Sequence, residues 1–157
     1  MTIEEIRAAI QASPELLAMA QAEVPDEAAI AAALPPIIAL REVFVTERGV
    51  VATLGLLDGE AFLTALGGFA SPENELPEEH PLLPYKSGIA RQLAWLKKDG
   101  IDVGSGPARD LLDALVAAGI VQAQHASAIK AMAEEAIPVD RLTVRRAIFN
   151  PDGSRAV

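Results

Sequence analysis

Residues 37–46 read Ile37-Ile38-Ala39-Leu40-Arg41-Glu42-Val43-Phe44-Val45-Thr46, the one stretch of the chain with a strand-like density of β-branched and aromatic side chains. Its reading decides the fold class, because a single strand cannot make a sheet alone. Three readings are open from the residues: an extended arm, an edge strand that pairs with another chain, or a helix that propensity misreads. Every other apolar segment carries helix punctuation, so the expected class is all-α with one strand-like segment at 37–46.

Upstream, Thr2-Ile3-Glu4-Glu5 has the capping-box spacing, and Ile3, Ile6 and Ile10 fall on one helical face. Ser13-Pro14-Glu15 restarts a helix, and Pro25-Asp26-Glu27 starts a third that Pro35-Pro36 terminates. Downstream, a helix is expected from about Arg48 to Leu56. Asp58-Gly59-Glu60 then reads as a turn into a helix over 61–66 that Gly67-Gly68 stops. Residues 71–84 hold four prolines and four glutamates, a composition that reads as an extended connection. Helices resume over 87–98, 108–118 and 122–136, and Asp140 caps a last one over 142–149. The organisation predicted is an acidic helical subdomain at 1–70, an extended Pro/Glu-rich arm at 71–85, a helical subdomain at 86–150 and a tail at 151–157.

The chain has 157 residues, 51% of them hydrophobic, which suffices for a core and excludes global disorder. Thirty Ala and 18 Leu against 4 Phe, 1 Trp and 1 Tyr make that core one of small pieces. The absence of cysteine excludes disulfides, thiolate metal sites and cysteine nucleophiles. No apolar run approaches the roughly 20 residues that cross a bilayer, so no membrane partner is expected. A net charge of −9 argues against general nucleic-acid binding. The charge is unevenly spread: residues 1–80 carry a net −11 and residues 81–157 a net +2. Such halves are complementary to each other or to a neighbouring copy, although an acidic half also serves as a plain solvated face.

The chemistry-bearing motifs are sparse. Asp102-Val103-Gly104-Ser105-Gly106-Pro107 has the outline of a nucleotide-binding turn, but a helix end precedes it and a third glycine is missing. A plain turn between helices is the better reading, and no cofactor is expected. His80 follows Glu78-Glu79 in an acidic loop that lacks further metal ligands nearby, so no metal is expected either. His125 and Ser127, two apart on a helix, point to different sides and make no catalytic pair. The expectation is a protein that is not an enzyme and has no catalytic residues. Arg141, Arg145 and Arg146 form a basic cluster suited to the carboxylates of a neighbouring subunit. In the arm, Leu76, Leu82, Leu83 and Tyr85 are the side chains placed to pack on a partner.

Several segments resemble small helical proteins encoded among the virion genes of tailed bacteriophages. They are Thr2–Ile10 with Ser13-Pro14-Glu15-Leu16, Val51-Ala52-Thr53-Leu54-Gly55, Gly119–Gln124 with Ala128-Ile129-Lys130-Ala131, and Arg145–Ser154. Segment 71–84 lies outside the resemblance. It implies a non-enzymatic structural component of a phage particle, in a capsid accessory, head-tail connection or tail role. Its partners would be other virion proteins or copies of itself, and its location the virion after synthesis in the bacterial cytoplasm. The alternatives are a cytoplasmic adaptor or assembly factor, and a small enzyme or ligand-binding protein.

Overall fold

A computed structural model describes all residues 1–157. The chain is mostly helical, 59% in nine helices, with four short strands in two small sheets. In order the elements are α1 (Ile3–Ala12), α2 (Pro14–Gln21), α3 (Glu27–Ala33), β1 (Ile37–Leu40), β2 (Phe44–Val45), α4 (Glu47–Leu54) and α5 (Leu56–Ala70). A 3-10 turn (Leu83–Tyr85) leads into α6 (Lys86–Lys98), β3 (Ile101–Asp102), α7 (Gly106–Ala117), α8 (Ala123–Ala131), β4 (Glu134–Ile137) and α9 (Arg141–Ile148). The local caps are those that the residue types dictate. Thr2 and Glu5 close a full capping box, and Ser13, Asp26, Thr46 and Asp140 each accept an amide from the first turn of the helix they precede.

The chain is roughly the all-α protein expected, but the strand-like segment at 37–46 finds partners inside the chain, and two further strands exist that the sequence did not announce. β1 pairs with β4, and β2 runs antiparallel to β3 with Phe44 opposite Asp102 and Val45 opposite Ile101. Glu134-Glu135-Ala136 has no strand propensity of its own and reads locally as the end of a helix. Pairing with β1 makes it a strand.

Contacts group the chain into two compact units, Met1–Ala39 with Glu135–Val157, and Leu40–Glu134. The division expected at 71–85 therefore falls inside the second unit. The reason is packing: α5 and α6 lie against each other across the 71–85 connection, and Leu76 and Leu82 of that connection join their core. The polarity of charge between the chain's halves also disappears. Because α9 returns to the first unit, the units carry net charges of −4 and −5.

The first unit packs α1, α2, α3 and α9 around Ile6, Ile10, Ile30, Val144 and Ile148, all fully buried. Its tail is held. Ala156 donates its amide to the carbonyl of Ile148 at 2.7 Å, and Arg155 donates to the carbonyls of Ala20 and Ala22 at the end of α2. The second unit packs α4–α8 around Val50, Phe62, Leu66, Ile89, Leu112, Leu115 and Ile129. Asp58-Gly59-Glu60, expected as a turn, lies inside α5. A Cβ on Gly59 would stand 2.7 Å from the Cα of Val51, so the glycine lets α5 press against the backbone of α4.

Asp140 illustrates how the caps respond to acid. The Thr143 hydroxyl and amide both donate to its carboxylate, the amide at 2.9 Å, and hold its pKa below the ordinary 3.8. A carboxylate whose folded pKa is depressed stabilises the fold above its unfolded pKa, and that contribution is lost as pH falls through the lower folded value. Asp140→Asn is thus expected to be the less stable form at neutral pH, with the gap closing below pH 3.8, in urea titrations at both pH values. A gap that stays constant down to low pH would show that the charge of Asp140 plays no part.

Candidate interaction site

The seven residues expected to make contacts divide between the units: the three arginines belong to the first, and Leu76, Leu82, Leu83 and Tyr85 to the second. Arg141, Arg145 and Arg146 lie on the outer side of α9, whose inner side buries Val144, Ala147 and Ile148. Arg141 and Arg145 share one carboxylate. Glu27, in the first turn of α3, lies 4.0 Å from the Arg141 guanidinium and 3.8 Å from the Nε of Arg145. Both arginine side chains remain about two-thirds exposed or more, 72% and 66%, so these pairs contribute little to stability. The guanidinium of Arg146 is exposed and has no partner within the chain.

Beside these arginines, α1, α9 and the turn after α9 form an open cleft of about 810 Å³. Ile3, Leu142, Phe149 and Pro151 supply its apolar surface, and Arg7, Arg145, Arg146 and Glu4 its charges. Arg7 is committed to the fold. Its Nε donates to the carbonyl of Ala147 at 2.9 Å, and a terminal nitrogen reaches the Arg146 carbonyl and the Asn150 Oδ1 at 3.4 Å. It thereby satisfies the open carbonyl end of α9, where a cation is favoured, and keeps its positive charge at the cleft. The cleft thus has an apolar floor lined by three guanidinium groups and the Glu4 carboxylate, with Glu27 outside it against Arg145. Chemically it suits an acidic surface that also offers apolar side chains. Ile3, Arg7, Leu142 and Phe149 were not legible as site residues. The one local signal was Leu142, an apolar residue on the polar side of an otherwise amphipathic α9.

The arm residues occupy the second unit. Leu76 is half-buried and Leu82 is 4% exposed, both against the unit's own core, so they serve the fold there. The connection is pinned further: the Asn74 side chain donates to the Phe69 carbonyl at 3.2 Å, Lys86 donates to the Asn74 carbonyl, and the His80 ring lies over Phe69. Leu83 and Tyr85 are exposed. Tyr85 borders a shallow cleft of about 640 Å³ with Pro84, Arg91 and Leu111. The carboxylates of Glu73, Glu75, Glu78 and Glu79 all face outward.

Elsewhere, Asp102 acts as a staple. Its Oδ1 accepts the amides of Val43 and Gly104, each at 3.0 Å, which ties β2 to the turn before α7. The motif that outlines a nucleotide-binding turn is accordingly a connection, here from a two-residue strand into α7. His125 is buried, with Nε2 3.7 Å from the carboxylate of Asp58. An apolar cavity of about 60 Å³ lies in the second unit among Val50, Phe62, Ile89, Leu112 and Ile129. Nowhere do three or more His, Asp or Glu side chains gather in a way that could hold a metal ion. No helix is long and apolar enough to cross a membrane.

No family model matches the chain, and neither a curated protein nor a solved structure matches it significantly.

Proposed function

We propose that this chain is a non-enzymatic building block of a tailed-phage particle, working by packing against other particle proteins and copies of itself. The observation that carries the reading is the α1–α9 cleft, where Leu142 and Arg146 are exposed and left unused by the fold beside Phe149, which is partly buried on the unit's core. Large apolar side chains on other surfaces support it: Leu57 is 85% exposed, Phe44 58% and Trp95 51%. Exposed aromatic side chains and arginines are enriched in protein interfaces. The virion setting rests on the sequence resemblance.

Quantitative mass spectrometry of purified particles tests the proposal. The expected result is a fixed copy number per particle, constant across preparations and resistant to stringent washing. Recovery only from infected cells, in complex with particle proteins but absent from finished particles, would make it an assembly factor instead. Recovery free of any particle protein would overturn the reading.

A further inference from the structure

We infer that the α1–α9 cleft of one molecule receives the acidic 71–81 loop of a second copy, so that the protein assembles head to tail. This rests on the packing role proposed above and names the contact by which it proceeds. The cleft presents Arg7, Arg145 and Arg146 around the apolar surface of Ile3, Leu142 and Phe149; Glu4 is the carboxylate in its lining, and Glu27 lies outside it against Arg145. The loop presents the complement. Between Ser71 and Pro81 it carries Glu73, Glu75, Glu78 and Glu79, all exposed, and no lysine or arginine.

Two features make the loop a formed surface rather than a loose acidic tether. Leu76 and Leu82 anchor it inward, and Asn74 is gripped from both sides by its bonds to Phe69 and Lys86. Pre-ordering reduces the entropy that binding must overcome. The loop also turns Pro72 and Pro77 outward among its carboxylates, which supplies apolar contact for Leu142 and Phe149. Charge complementarity of this kind raises the rate of encounter and sets the register of the contact. Because the two surfaces differ, the contact is heterologous. Repetition gives a ring if the rotation closes and a filament if it does not.

The test is a charge exchange read by sedimentation velocity on the intact chain. The parent should self-associate as concentration rises and dissociate as salt approaches about 1 M, where screening acts over about 3 Å. Arg145→Glu with Arg146→Glu, and separately Glu75→Arg with Glu78→Arg, should each weaken association about tenfold or more. An equimolar mixture of the two variants should regain one-to-one pairing, since the unaltered cleft of one variant then meets the unaltered acidic loop of the other. Arg145 also touches Glu27, so circular dichroism accompanies each variant. Arg146→Glu alone, at a side chain with no partner within the chain, serves if the double variant loses helix. A parent that stays monomeric at every concentration, variants that associate like the parent, or a mixture that stays apart would each overturn the inference. Failure here with constant copy number in particles leaves the particle role standing on other surfaces. Self-association with absence from particles does the reverse.

Discussion

Ile148→Ala should melt the first unit and leave the second folded. Ile148 closes α9 and is fully buried against a cluster of Ile6, Ile10, Ile30 and Val144. Truncating a fully buried isoleucine to alanine costs about 2–5 kcal/mol, the lost transfer energy plus the cavity left behind. A unit of about 60 residues has only about 3–9 kcal/mol of stability to lose, at 0.05–0.15 kcal/mol per residue. The position of the chain's single tryptophan makes the outcome readable. Trp95 lies in α6 of the second unit, so its fluorescence follows that unit alone, whereas far-ultraviolet circular dichroism follows both. The variant should lose over a third of its helical signal without denaturant, the share held by α1, α2, α3 and α9. The urea transition of Trp95 should keep its midpoint. An equal shift of both signals would show that the two units unfold as one.

Gly104→Ala is the counterpart for the second unit. A Cβ at this position would stand 2.0 Å from the carbonyl oxygen of Arg41 and 2.9 Å from its carbon. These are backbone atoms and cannot swing aside. The backbone is also fixed from the other side, because Asp102 holds the amides of Gly104 and Val43 together. Relief requires β2 and the turn before α7 to separate, at the expense of two charge-assisted hydrogen bonds. Overpacking alone typically costs about 1–3 kcal/mol, and this site belongs at or above the upper end. Gly106→Ala, two residues on, meets nothing within 4 Å and should stay within about 0.5 kcal/mol of the parent. Urea midpoints by Trp95 fluorescence compare the two. Equal stabilities would show that the turn yields readily.

What was legible in the sequence is what is decided within a few residues. Thr2, Ser13, Asp26 and Asp140 cap helices because a short polar side chain reaches an amide two or three positions on, and no distant contact is needed. What was not legible depends on partners remote in sequence. Glu134–Ile137 is a strand because β1 lies beside it, a fact its own residues do not carry. Val144 and Ile148 announce that α9 has an apolar face but not that the face belongs to α1 and α3. The division into units was misplaced for that reason. The arm's proline and glutamate content describes its surface correctly, while Leu76 and Leu82, two side chains among many polar ones, decide where it lies. The candidate site was half legible. Its arginines form a visible cluster, but Arg7 is separated from the carbonyl it caps by 140 positions.

That separation bears on the order of synthesis. The first unit is built from segments at opposite ends of the chain, with the contiguous second unit between them. On the ribosome, α1–α3 emerge first with Ile6, Ile10 and Ile30 uncovered. They wait until α9 follows, about 6–20 seconds later at 5–20 residues per second. The second unit has all its residues in hand earlier and can fold during that wait. The cleft comes into being last, since Ile3 and Arg7 form one wall and Leu142, Arg146 and Phe149 the other. A nascent chain that stalls between the 71–81 loop and α9 therefore carries the acidic loop without a formed cleft, so under the head-to-tail contact inferred above it would dock on a neighbour and receive no further copy.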